Sequence, residues 1–111
     1  MAKFESYLRG DFDEILGTID RGILRGSVSA SLEDGSDFAA PGVRCAVRVY
    51  ERFSYMGGNR VSLNVNLMAA GGYIFLSAIT AGGSKAVFFK LNTIGEGSFL
   101  DCLVDIVRRY Q

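Results

Sequence analysis

The sequence predicts an α+β domain: an antiparallel meander sheet of five to six strands with two amphipathic helices packed on one face, in β-α-β4/5-α order. Three observations predict it. Val61, Leu63, Val65 and Leu67 alternate with Ser62, Asn64 and Asn66, the two-residue period of a strand with one buried face. Two other stretches, beginning at Phe12 and at Phe99, repeat their apolar residues at steps of three and four, the period of a helix. Glycine-rich segments at Gly57-Gly58-Asn59, Gly71-Gly72 and Gly82 to Lys85 break the alternating stretches at hairpin spacing.

Taken in order, Lys3 to Arg9 reads as a short first strand, with Phe4 or Tyr7 and Leu8 as core candidates. Asp11 followed by Glu14 is an N-cap pair, whose carboxylates can accept from the backbone donors that a first helical turn leaves free. The helix it opens has Phe12, Ile15, Leu16, Ile19, Ile23 and Leu24 on one face, and Gly26 ends it. Gly17 and Gly22 each cost that helix about 1 kcal/mol relative to alanine, which points to close packing on a sheet or to a break near Gly22. Ser27 to Glu33 alternates Val28, Ala30 and Leu32 against serines and is read as the second strand. Residues 34–42, with Asp34-Gly35-Ser36-Asp37 and Pro41-Gly42, are read as the longest irregular connection.

The third strand, from Val43, has Val43, Cys45, Val47, Val49, Phe53 and Tyr55 on the parity read as buried, and Arg44, Arg48, Tyr50 and Arg52 on the parity read as exposed. Glu51 breaks the pattern; a carboxylate among apolar neighbours requires a bulge, a strand end or an arginine partner. A three-residue loop at Gly57-Gly58-Asn59 would set Phe53 opposite Leu63 and Arg52 opposite Asn64. A two-residue turn at Gly71-Gly72 pairs Leu67 with Leu76 and Val65 with Ala78, and a four-residue loop from Gly82 sets Ala78 opposite Phe89 and Leu76 opposite Leu91 on a further strand. Ser98 with Asp101 resembles a second capping pair, opening a helix whose stripe is Phe99, Leu103, Ile106, Val107 and Tyr110.

Composition narrows the function classes. The 111 residues suit a single domain over 1–111. A formal net charge of zero argues against a phosphate-neutralising domain, so no nucleic-acid partner is expected. Histidine is absent, and Cys45 and Cys102 match no metal or redox spacing, so neither a metal nor a cofactor is expected and both cysteines read as buried free thiols. No signal segment or bilayer-length apolar run is visible, which points to a cytoplasmic protein without membrane contact.

Motif candidates are weak. Ala81-Gly82-Gly83-Ser84-Lys85 lacks the glycine spacing of a phosphate loop and is followed by an apolar run of strand type, and Gly95-Glu96-Gly97 lacks the third glycine of a dinucleotide fingerprint. An enzyme is not favoured; if there were one, Glu51 would act with Arg48 or Arg52 as electrostatic partner and Tyr50 as donor. The sheet face without helices is the more informative surface. On the register above it carries Ser29, Ser31, Arg44, Arg48, Tyr50, Arg52, Ser62, Asn64, Asn66 and Ser77, with Phe75, Ile79 and Phe88 at its far side. Such a face is a solvated surface, a subunit contact or a ligand surface; the candidate partner or ligand set is Arg44, Arg48, Tyr50, Arg52, Ser62, Asn64, Asn66, Phe75, Ser77 and Phe88.

The segments AKFESYLRGDFDEIL, RVYERFSYMGGNRVSLNV and LSAITAGGSKAVFFKLNTIGE resemble a family of small uncharacterised bacterial proteins, a domain of unknown function, over nearly the whole chain. That resemblance implies a stand-alone cytoplasmic domain and supplies no activity. The element order is also similar to the TATA-box-binding-protein-like and helix-grip folds, a likeness of fold alone. The function expected is a non-catalytic binding or interaction domain acting as a homo-oligomer, a dimer above all. The alternative is a carrier of a small apolar ligand, its pocket between helices and sheet lined by Phe12, Ile19, Phe53, Leu63, Phe89 and Phe99.

Overall fold

Asp11 opens the first helix by the chemistry its position suggests: its Oδ2 accepts from the Glu14 backbone N–H at 2.9 Å. In the computed structural model, which describes residues 1–54, 59–82 and 99–111, this helix is α1 (Phe12–Arg25), and Gly26 closes it by donating to the Gly22 and Ile23 carbonyls. It follows β1 (Lys3–Leu8) and precedes β2 (Ser31–Ala40), β3 (Val43–Ser54), β4 (Asn59–Ala70) and β5 (Tyr73–Gly82). A second helix, α2, is described over residues 99–107 and runs into a 3₁₀ turn at Arg108–Tyr110. The architecture is α+β, with a five-stranded antiparallel sheet in the order β1-β5-β4-β3-β2.

The Gly71-Gly72 hairpin forms with the expected register. Leu67 pairs with Leu76 and Val65 with Ala78, and both glycines adopt positive φ (58° and 83°), the backbone a two-residue hairpin turn requires. Val61, Leu63, Val65, Leu67, Leu76 and Ala78 are all fully buried, and α1 adds Phe12, Ile15, Ile19 and Ile23 to the same core. The stripe of α2 enters this core through Phe99, Leu100, Leu103, Val107 and Tyr110.

Several expectations are corrected. The second strand is not Ser27–Glu33: Val28 is 99% exposed, and the Ser29 and Ala30 amides turn back onto Ser27. The stretch read as a long loop is itself β2, paired to β3 from Ser31↔Glu51 to Ala40↔Val43, with a register shift between Leu32 and Asp34 and Pro41-Gly42 as a two-residue turn. An edge strand open on both faces has no need of an apolar parity, so alternation could not reveal it. The third strand is also inverted. Ser54 pairs with Asn59, so Tyr50 lies opposite Leu63 and Arg52 opposite Val61, in place of Phe53 opposite Leu63 and Arg52 opposite Asn64. Ala46 and Tyr50 are therefore the buried residues of β3, while Val43 and Phe53 are exposed.

The expectation of both helices packed on one apolar face is not met as stated. α1 lies on the sheet, but α2 is packed along α1. Ile106 lies where a Gly22 side chain would be, Cys102 sits beside Gly26, and the Tyr110 hydroxyl is 2.9 Å from Thr18 Oγ1. The face under α1 is moreover only partly apolar, since β3 contributes Arg44, Arg48 and Arg52 to it. The pairing expected between β5 and a further strand is overturned for a different reason. The free edge of β5 pairs with β1, which places Phe4 opposite Ala78 and Ser6 opposite Leu76. The loop at residues 82–85 and the pairings of Phe89 and Leu91 fall largely on residues 83–98, outside the described residues.

Gly22 explains the α1–α2 contact. A Cβ there would fall 2.6 Å from Ile106 Cδ1 and 2.7 Å from its Cγ1. Gly22→Ala should therefore destabilise the domain by about 1–3 kcal/mol through overpacking, despite its better helix propensity. In urea melts, adding Ile106→Ala should make the Gly22→Ala change neutral or stabilising; a Gly22→Ala step of the same size in both backgrounds would remove the explanation.

Candidate functional site

β3 carries two different sets of side chains on its two faces. Toward α1 it presents Arg44, Ala46, Arg48, Tyr50 and Arg52, and on the opposite, outer face Val43, Cys45, Val47, Val49, Glu51 and Phe53. The arginines toward α1 are engaged. Arg44 makes a bidentate pair with Asp13 (2.9 and 3.1 Å) and lies 4.2 Å from the Phe12 ring centroid. Its hydrogen bonds hold the Asp13 carboxyl below the usual carboxylate range. Arg48 pairs with Asp37 at 3.0 Å, and Arg52 lies 4.5 Å from the centroid of Phe99, where burial lowers its pKa. Tyr50 is fully buried and donates to Asp20 Oδ1 at 2.9 Å; burial, reinforced by that bond, pushes its hydroxyl pKa well up.

The outer face divides into two halves. Toward the Gly42 and Gly71 hairpins, one row crosses all five strands as Tyr7, Phe75, Met68, Cys45 and Phe38. The neighbouring row is Tyr73, Ala70, Val43 and Ala40. Tyr7, Phe38 and Tyr73 are each more than 60% exposed, and the Tyr7 ring meets Phe75 and Tyr73 edge-on at 5.2 and 5.9 Å. A shallow hollow of about 290 Å³ opens among Tyr7, Met68, Ala70, Tyr73 and Phe75. The other half is polar. Ser77 bonds Glu5 at 3.1 Å, Asn66 bonds Asn64 at 3.1 Å, and Glu51 is held by Arg60 Nε at 2.8 Å and by Ser62 Oγ at 3.3 Å.

The structure therefore splits the candidate set. Ser62, Asn64, Asn66, Phe75 and Ser77 share the outer face. Arg44, Arg48, Tyr50 and Arg52 lie on the α1 side, and Phe88 is outside the described residues. Glu51 is separated by the sheet from Arg48, Tyr50 and Arg52, so that catalytic arrangement does not assemble; the arginine partner its position requires is Arg60. Of the carrier lining, Phe12, Ile19, Leu63 and Phe99 are packed in the core, Phe53 faces outward at 47% exposure, and Phe89 is outside the described residues. Sequence reasoning missed Tyr7, Phe38, Cys45, Met68 and Tyr73 as a surface group. The signal for Met68 and Tyr73 was present, because the β4 alternation and the Gly71-Gly72 register already place them with Phe75, whereas Tyr7 joins them only through the β1–β5 pairing.

Among the described residues, no group of three metal-ligating side chains comes together and no helix is long and apolar enough to cross a membrane. Cys45 and Cys102 are free and partly buried, and burial raises the Cys102 thiol pKa. The model of a family of unknown function (DUF6054) matches residues 1–111, and no curated protein matches the chain.

Proposed function

The chain belongs to that family of unknown function (DUF6054), and we propose that it is a non-catalytic interaction domain whose outer sheet face binds a second copy of itself. The observation that carries this reading is the apolar row Tyr7–Phe75–Met68–Cys45–Phe38, unbroken across five strands. Contiguous exposed apolar surface of this kind marks interaction sites, because leaving it in water forgoes burial worth about 25 cal/mol per Å².

Self-association is favoured over another partner by the symmetry of the face. A two-fold axis running along β4 between two stacked sheets would set Met68 against its own copy, Phe75 against Cys45 and Tyr7 against Phe38. The same operation would bring Lys3, in the Ile79–Asn64–Val49 row, to Asp34 at the other end of that row. Five strands and four rows give a footprint of roughly 20 Å by 20 Å, the size of a small interface whose dimer is weak and concentration-dependent. Free thiols suit a reducing compartment, so the cytoplasm is where we propose the domain acts.

Light scattering coupled to size exclusion tests the reading. The wild-type chain should be a dimer and Met68→Glu a folded monomer, since a charge at the centre of the interface would face its own copy. A wild-type chain that stays monomeric over the accessible concentration range, or a Met68→Glu protein that dimerises unchanged, would overturn it.

A further inference from the structure

Where α2 lies along α1, a groove of about 250 Å³ is lined by Thr18, Arg21, Gly22, Arg25, Ile106 and Arg109. The fold assembles it from both helices. Arg21 and Arg25 are one helical turn apart on α1, and the Gly22–Ile106 contact and the Thr18–Tyr110 hydrogen bond bring Arg109 alongside. Arg44, Arg48, Arg60 and Arg108 each have a carboxylate partner. Arg21, Arg25 and Arg109 form no ion pair with any carboxylate among the described residues. The Arg21 contact is to Thr18 Oγ1 at 3.5 Å, and Arg109 lies 6.0 Å from its neighbouring Tyr110 ring. Asp105, one turn before Arg109, is held by Arg108 at 3.0 Å.

Three guanidinium groups that never lose their charge thus share one small groove in a chain whose formal net charge is zero. Like charges brought together repel, and an anion between them turns that repulsion into attraction. From this geometry we propose that the groove binds a small dianion, a phosphate or a phosphomonoester. The fork of a guanidinium matches two oxygens of such a group. Thr18 adds a hydroxyl: with Tyr110 as donor in their bond, the Thr18 proton is free for an anion oxygen. The groove is smaller than the roughly 300–1,000 Å³ of pockets that enclose drug-sized ligands, and its floor of Gly22 and Ile106 offers little else to recognise. The charged headgroup is therefore the recognised part.

Calorimetry with inorganic phosphate and with glycerol phosphate, against chloride at matched ionic strength, tests the site on the full chain. Saturable binding of both phosphates but not of chloride is expected, weakened at least tenfold by Arg25→Gln or by Arg109→Gln. These exposed positions leave the fold intact, which thermal melts of each variant should show. Absence of saturable binding, equal affinity in wild type and variants, or equal competition by chloride would overturn the proposal. Vesicles containing phosphatidic acid separate a lipid source from a free one. Uptake that inorganic phosphate competes away supports the same site, and uptake that both variants retain overturns it.

Discussion

Ala46→Asp should leave the chain largely unfolded, whereas Val47→Asp, one residue further along the same strand, should fold. Ala46 is 1% exposed between Leu67 on β4 and Asp37 on β2. A carboxylate there would be desolvated beside the fully buried Leu67 and would add a second negative charge next to Asp37, which already occupies Arg48. An unpaired buried charge costs several kcal/mol, comparable with the roughly 5–15 kcal/mol that holds a domain of this size together. Val47 lies on the outer face between Ser36 and Asn66, where water reaches a new carboxylate, and the expected cost is about 1 kcal/mol. Far-ultraviolet circular dichroism and urea midpoints separate the two outcomes. A folded Ala46→Asp protein beside an unfolded Val47→Asp protein would restore the parity that the sequence alone suggests and sink the register described above.

Why that parity misleads is instructive. On β4 the two sets of residues differ plainly, aliphatic against serine and asparagine, and the strand's buried face was legible. On β3 both sets can be buried in part: valine and cysteine on one parity, and on the other arginine and tyrosine, where the Arg44 and Arg52 guanidinium groups lie over the rings of Phe12 and Phe99 and the polar ends of Arg44, Arg48 and Tyr50 find Asp13, Asp37 and Asp20. Hydrophobicity then cannot choose, and the choice falls to how many residues separate the paired ends of the hairpin. The Asp11 cap, the Gly71-Gly72 turn and the α2 stripe were legible because each rests on contacts within a few residues. The β1–β5 pairing joins residues more than 60 apart, and no local pattern announces it. The same distinction governs the sites. Met68, Tyr73 and Phe75 follow from one hairpin, whereas the arginine groove requires knowing that Gly22 meets Ile106.

Tyr50 gives the second large effect, because one side chain fills the core and satisfies a carboxylate at its edge. Tyr50→Ala should cost about 3–5 kcal/mol, the range for removing a buried aromatic ring. Tyr50→Phe keeps the ring and removes only the donor to Asp20, so about 1.5–3 kcal/mol is expected, the range for a bond to a charged acceptor. The difference between the variants measures packing, and the smaller loss measures the hydrogen bond. The hydroxyl also sets a pH dependence whose sign follows from its raised pKa. Below the ordinary value of 10.0, Tyr50 is protonated in both folded and unfolded chains, and its contribution is complete. As pH rises through that value the unfolded chain releases the proton while the folded one keeps it, so stability is lost with rising pH until the folded value is passed. Urea midpoints measured between about pH 9 and 11 should fall for the wild type and fall less steeply for Tyr50→Phe. Parallel slopes in the two proteins would show that Tyr50 is not the group whose proton the fold retains.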